Sequence, residues 1–215
     1  MDNAVALVQA YLRLNGYFTV SEYPVVEQLR PGNVRTMTDL DILGFRFPGA
    51  GQLLARGRES SDVHRFEPDP ALAGAPDRPD MIIGEVKEGK AELNRAARDP
   101  RVLEVVLTRF GCCPAADAAG VVQRLIRTGS VPLPGGHTVR LVAFGAAAQA
   151  GEQDGYLVIP LAHVVDYLRQ HLREHWDVLR HVQPKDTAFG FLTLLEKIRV
   201  PEDGPLTGLA HRKRR

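Results

Sequence analysis

Glu85 and Lys87 stand two residues apart at the end of an apolar run, Met81-Ile82-Ile83-Gly84-Glu85-Val86-Lys87. Side chains alternate between the two faces of a strand, so Glu85 and Lys87 share one face and Val86 takes the other. Upstream, "TMTDLDILGFRF" (36–47) reads as a second strand, with Asp39 and Asp41 expected on one face and Leu40 and Ile42 on the other. Where two such strands pair, an acid from one lies beside Glu-x-Lys of the next. Two carboxylates hold a hard divalent cation through oxygen ligands. Such a cation polarises a phosphate and lowers the pKa of a bound water, and a lysine beside it orients that water or stabilises the developing charge. These residue types therefore suit phosphodiester hydrolysis. The bland alternative is a solvated strand end whose same-face ion pair contributes under about 1 kcal/mol.

Pro79-Asp80 precedes Glu85 on the same strand and mimics the acidic half of the pair. Five residues before Glu85, Asp80 falls on the opposite face. The acid that shares an ion with Glu85 must come from the neighbouring strand. Asp41 and Asp39 are the candidates for that acid.

The elements that position these residues follow from periodicity. Residues 2–15 carry a helical stripe of Val5, Val8 and Leu12, with Asp2 or Asn3 as cap and Gly16 as stop. "GYFTVSEYPVVEQ" (16–28) alternates as an extended segment with Phe18, Val20 and Glu22 on one face, and Pro31-Gly32 turns the chain. Residues 48–79, rich in Gly, Pro, Ala, Arg and Asp, read as a long insertion loop. Helices are expected near 90–110 and 116–128, strands at 137–145 and 155–161, one long amphipathic helix from Leu161 to Val182, and a last helix near 185–199. Three strands before the first crossover predict an α/β fold with a mixed central sheet flanked by helices.

The arrangement "TDLDIL … IIGEVK", in the order helix, strand, strand, strand, helix, strand, resembles the PD-(D/E)XK, or restriction-endonuclease-like, nuclease superfamily across roughly residues 2–145. The resemblance implies a restriction-endonuclease-like core and a divalent-metal-dependent nuclease, with DNA favoured over RNA. It implies Mg2+, for which Mn2+ can substitute, held by Asp41, Glu85 and the backbone carbonyl of Val86. Lys87 matches the lysine that positions the attacking water. Many relatives carry a glutamate on the first helix; here Gln9 is the comparable residue, and Glu22 is the acid placed to substitute. Lys90, Arg95 and Arg98 follow the motif and are the candidate contacts to a phosphate backbone, with an exposed solubilising face as an equal reading. The alternative function is a non-catalytic binding or scaffold module that keeps the nuclease fold.

The bulk numbers agree with an ordinary soluble domain: 215 residues, 44% hydrophobic and 25% charged, with a formal net charge of +1. No global basicity announces a nucleic-acid partner, so such a role rests on a local patch. With no signal peptide or long apolar run and only two adjacent cysteines, Cys112 and Cys113, a reduced, cytoplasmic chain is expected. No membrane partner is expected, and the long amphipathic helix leaves room for a homodimer. His171 and His175 have the i, i+4 spacing that can chelate zinc, but "HLREH" lacks the glutamate of a zinc-peptidase helix and reads as a polar helix face. "PGAGQ" lacks the Lys-Ser/Thr of a phosphate-binding loop. The expected layout is a nuclease-like core over 1–160, C-terminal helices over 161–200 packed on it, and a basic tail over 201–215 ending in "HRKRR".

Overall fold

In the computed structural model, residues 2–51, 67–147, 150–153 and 155–199 are described. Helix α1 spans Asn3–Leu14, and the Asp2 carboxylate accepts from the Ala4 N–H at 2.9 Å as its N-cap. The chain leaves it through Gly16, whose φ of 82° lies in the left-handed region that glycine enters at no steric cost. Strands β1 (Tyr17–Arg30) and β2 (Asn33–Arg46) form an antiparallel hairpin closed at Pro31-Gly32. Strand β3 (Asp80–Lys90) is followed by α2 (Pro100–Arg109) and α3 (Ala115–Thr128). Then come β4 (Ser130–Pro132), β5 (Thr138–Ala147), β6 (Gly151–Gln153) and β7 (Tyr156–Pro160). Helices α4 (Leu161–Glu174), α5 (Trp176–Leu179) and α6 (Thr187–Arg199) complete the described chain.

The sheet runs β1-β2-β3-β5-β7-β6, with β4 beside β5. It is mixed: β1/β2 and β2/β3 are antiparallel, β3/β5 and β5/β7 parallel, and β6/β7 antiparallel. The crossover from β3 to β5 carries α2 and α3, as a parallel neighbour requires. Because β3 and β5 are covered on both faces, they read as unbroken apolar runs, "MII" and "LVAF". One core layer joins Met81, Ile83, Val139 and Leu141 to Leu103, Val106 and Val122 of α2 and α3. The other joins Ile82, Val86, Val142 and Phe144 to Val8 and Tyr11 of α1, Leu168 of α4 and Phe189 of α6. The α/β fold with a mixed, helix-flanked sheet is thus as expected. Among the described residues no helix is long and apolar enough to cross a membrane.

Four expectations change. The helix predicted from residue 90 starts only at Pro100: β3 runs on to Lys90, residues 96–98 form a 3₁₀ turn, and Asp99 caps the Arg101 N–H at 2.9 Å. Proline at the first helical position and aspartate before it set that start. The long helix from Leu161 breaks at His175, whose φ of −112° is not helical. Strands β4 and β6 are three residues each, too short for periodicity to reveal. Residues 67–79, read as part of an open loop, are tied to the core through buried Asp69 and Leu72, with a 3₁₀ turn at Pro70–Leu72. The remainder of the predicted insertion, 52–66, and the basic tail lie outside the described residues.

Candidate active site

The β2/β3 register places Ile42 opposite Gly84. One residue further along, Asp41 comes beside Glu85. The contact is direct at the backbone: Asp41 Oδ2 accepts from the Val86 N–H at 2.7 Å. Glu85 is fully buried, and the alternation of β3 turns it to the α2/α3 side, opposite Val86. Its Oε1 accepts from Lys87 Nζ at 2.5 Å and from Asn94 Nδ2 at 2.6 Å. Its Oε2 is buried and has no hydrogen-bond partner. A buried carboxylate oxygen left without a donor costs about 1–3 kcal/mol or more, so such an atom calls for an explanation.

The electrostatics point the same way. Burial pushes the Glu85 carboxyl above its ordinary range; the Lys87 hydrogen bond opposes this and the charge of Asp41 adds to it. Burial alone would lower Lys87, but the hydrogen bond to Glu85 and the charges of Glu85 and Asp41 outweigh it and hold the ammonium above its usual value. A divalent cation against Oε2 would relieve both the orphaned oxygen and the repulsion between the two carboxylates. Asp41 and Glu85 supply the hard oxygen donors that Mg2+ or Mn2+ takes, so the residues present fit such an ion. Among the described residues no group of three or more His, Cys, Asp or Glu side chains could hold a metal. Backbone oxygen, such as the carbonyl of Val86, and water would therefore complete the coordination.

Two glycines let the strands and the following segment come this close. A Cβ on Gly84 would lie 2.6 Å from Ile42 Cγ2, so β2 and β3 approach closely next to Asp41 and Glu85. A Cβ on Gly145 would lie 2.5 Å from the backbone N and Cα of Ala91. Gly145 pairs with Lys87 across β3/β5, so its missing side chain is what lets the chain fold over β5 on its way to Asn94.

The other predicted residues do not converge on Glu85. Asp39 is exposed and paired with Pro24. The expected alternation fails here, because Leu40 packs in the α2/α3 layer while Ile42 packs in the α1/α4 layer. Across from Asp41, between the pairs Ser21–Ile42 and Tyr23–Leu40, Glu22 has φ of 52°, an uncommon left-handed conformation for a side-chain-bearing residue. That local distortion breaks the period of two. Glu22 is exposed. Gln9 is buried on α1 and donates to Ser21 Oγ at 3.4 Å, on the α1 side of the sheet. Lys90 pairs with Glu92 at 3.3 Å, Arg95 is exposed, and the Arg98 guanidinium stacks 4.9 Å from the Tyr156 ring centroid.

Asp80 does face the other way. Its carboxylate takes two bonds from Arg140, at 2.8 and 2.5 Å, and one from Tyr17 Oη at 2.5 Å, all buried. The rings of His171 on α4 and His175 at its C-terminal end lie 4.6 Å apart, tilted by 54°, beside a cavity of about 480 Å3. Burial, reinforced by His175, depresses the His171 imidazole to about 4, so it is neutral at physiological pH. Cys112 and Cys113 are free thiols.

Sequence reasoning missed Asn94, Gly84 and Gly145. Asn94 carried a legible signal, an asparagine three residues before the Ala97 N–H that it caps at 2.6 Å. The glycines carried none, since their role is set by what lies across the sheet. No protein-family model matches this chain, and no curated protein or solved structure matches it either.

Proposed function

We propose that this protein is a divalent-metal-dependent nuclease that hydrolyses phosphodiester bonds on a restriction-endonuclease-like core, of the PD-(D/E)XK type. The observation that carries the reading is the buried, unpartnered Oε2 of Glu85 beside Asp41. The element order supports it: α1, then β1 to β3 with an acid on β2 and Glu-x-Lys on β3, then helices and the parallel strand β5. Asp41 and Glu85 would hold Mg2+ or Mn2+, with the Val86 carbonyl as a further ligand. When bound, such an ion supplies Lewis acidity toward a phosphate and makes a bound water more acidic. Lys87 is anchored to Glu85 yet 39% exposed, so its ammonium can face solvent and orient a water or a phosphate oxygen. The preference for DNA over RNA follows from the resemblance to the superfamily.

The direct test is incubation of the protein with plasmid, linear and single-stranded DNA in Mg2+ or Mn2+. Cleavage that is lost in Glu85→Ala and Lys87→Ala is expected. No cleavage by the wild type, or cleavage indifferent to both substitutions, overturns the reading.

One observation favours a second reading, a non-catalytic module on the same fold. Lys87 donates to Glu85 at 2.5 Å and supplies a positive charge opposite the carboxylate. A wild-type protein that takes up no Mn2+ in solution would select it.

A further inference from the structure

We infer that Asn94 is a positioning residue that decides which oxygen of Glu85 is offered to a cation; this rests on the metal-dependent reading above. The amide has only one workable orientation. Its Oδ1 accepts from the Ala97 N–H at 2.6 Å, and its Nδ2 donates to Glu85 Oε1 at 2.6 Å. Flipping the amide would set an NH2 group against an N–H and an oxygen against a carboxylate, two repulsive contacts in place of two bonds. Asn94 can therefore act only as a donor toward Glu85.

Lys87 Nζ donates to the same oxygen at 2.5 Å. With both donors converging on Oε1, the plane of the carboxylate is fixed and its second oxygen, Oε2, is left unpartnered in the interior. Lys87 alone could not hold it there. Its ammonium is a three-donor point charge on a flexible stem and is 39% exposed. Asn94 is short and fixed at both ends. Its own position depends on Gly145, over which the chain passes at Ala91. The segment between β3 and α2 thus belongs to the site.

Partners that orient a metal ligand typically contribute 10–100-fold in metal affinity or activity. Two variants separate this role from simple loss of the Ala97 cap. Asn94→Ala removes both bonds. Asn94→Ser keeps an oxygen suited to capping the Ala97 N–H but is too short to reach Glu85. The measurement is titration of the full-length protein with Mn2+, reading free ion by electron paramagnetic resonance, with a melting curve for each variant. The expected result is a roughly 10–100-fold weaker Mn2+ affinity in both variants, with Asn94→Ser melting near the wild type. Wild-type Mn2+ affinity in both variants, beside a wild type that binds, overturns the role of Asn94 and leaves the nuclease reading standing. A wild type that binds no Mn2+ overturns both.

Discussion

Glu85 is the residue on which stability and the proposed function pull against each other. Its carboxyl is pushed above the ordinary range, first by burial and then by the charge of Asp41. A group whose folded pKa exceeds its unfolded value contributes stability when protonated, below the unfolded value near 4.3. That contribution is lost as pH rises through the folded value. Charged Glu85 therefore weakens the metal-free fold at neutral pH. Glu85→Gln keeps an acceptor for Lys87 and Asn94 and removes the buried charge. It is expected to abolish cleavage and to raise the melting temperature at pH 7–8 without metal, by about 2–4 °C if the relief is roughly 1 kcal/mol. The gain should vanish on acidification, which a melting series over pH would read. Cleavage by the wild type should fail on the acid side at a higher pH than an ordinary glutamate would dictate, because the ion needs the carboxylate. The same-face pair Glu85 and Lys87 was legible in the sequence because strand alternation is a geometric rule, whereas Asp41 was singled out from Asp39 by the resemblance. The bond from Asn94 to Glu85 was not legible, because it is made by a coil whose path depends on the rest of the fold. The failed pairing of Leu40 with Ile42 has the same origin: Glu22 at φ 52° interrupts the strand period, and nothing in "SEY" announces it.

At the scale of elements, the site is a meeting of β2, β3 and the segment that follows, and Gly145 sets how close the last can come. Its backbone does not need glycine's left-handed freedom, so the requirement is space alone: an added Cβ would meet Ala91 backbone at 2.5 Å. Backbone yields less readily than a side-chain tip, and overpacking a filled core typically costs about 1–3 kcal/mol. Gly145→Ala should lose stability by that order in a denaturant melt. It should also lower cleavage in the surviving folded protein, because it lifts the chain leading to Asn94. Wild-type activity in a folded Gly145→Ala protein would detach that segment from the site. Helix existence and most strands were legible from periodicity, and their limits were not. Asp99-Pro100 moved the start of α2 ten residues along, and His175 divided the predicted long helix, since terminal geometry depends on single residues that a periodic pattern averages over.

For the whole molecule, the two faces of the sheet have separate tasks. The α2/α3 side carries Glu85. The α1 side carries a buried polar network that ties distant parts of the chain together: Tyr17 of β1, Asp80 of β3 and Arg140 of β5. Arg140 also donates to the Leu72 carbonyl, and Arg46 of β2 donates to the Ala75 carbonyl at 2.8 Å, so the described end of the insertion is anchored here. Burial first, and then the charge of Asp80, hold the Tyr17 hydroxyl far above its ordinary range, so it remains a donor. Removing one partner of a buried ion pair leaves the other uncompensated, at about 3–5 kcal/mol. Asp80→Ala should therefore lose roughly that much stability in chemical denaturation while keeping metal-dependent cleavage per folded molecule. A stable but inactive Asp80→Ala would reverse the assignment. That Asp80 turns away from Glu85 was legible from the odd spacing of five. That it anchors the insertion was not, because its partners come from elements separated by about 60 residues on either side.

The central claim is that Asp41 and Glu85 hold a divalent cation, and anomalous scattering from Mn2+-soaked crystals tests it most directly. The account predicts a peak within about 2.0–2.6 Å of Glu85 Oε2 and of an Asp41 oxygen. Saturating Mn2+ with no peak there, and Oε2 still without a partner, would contradict it.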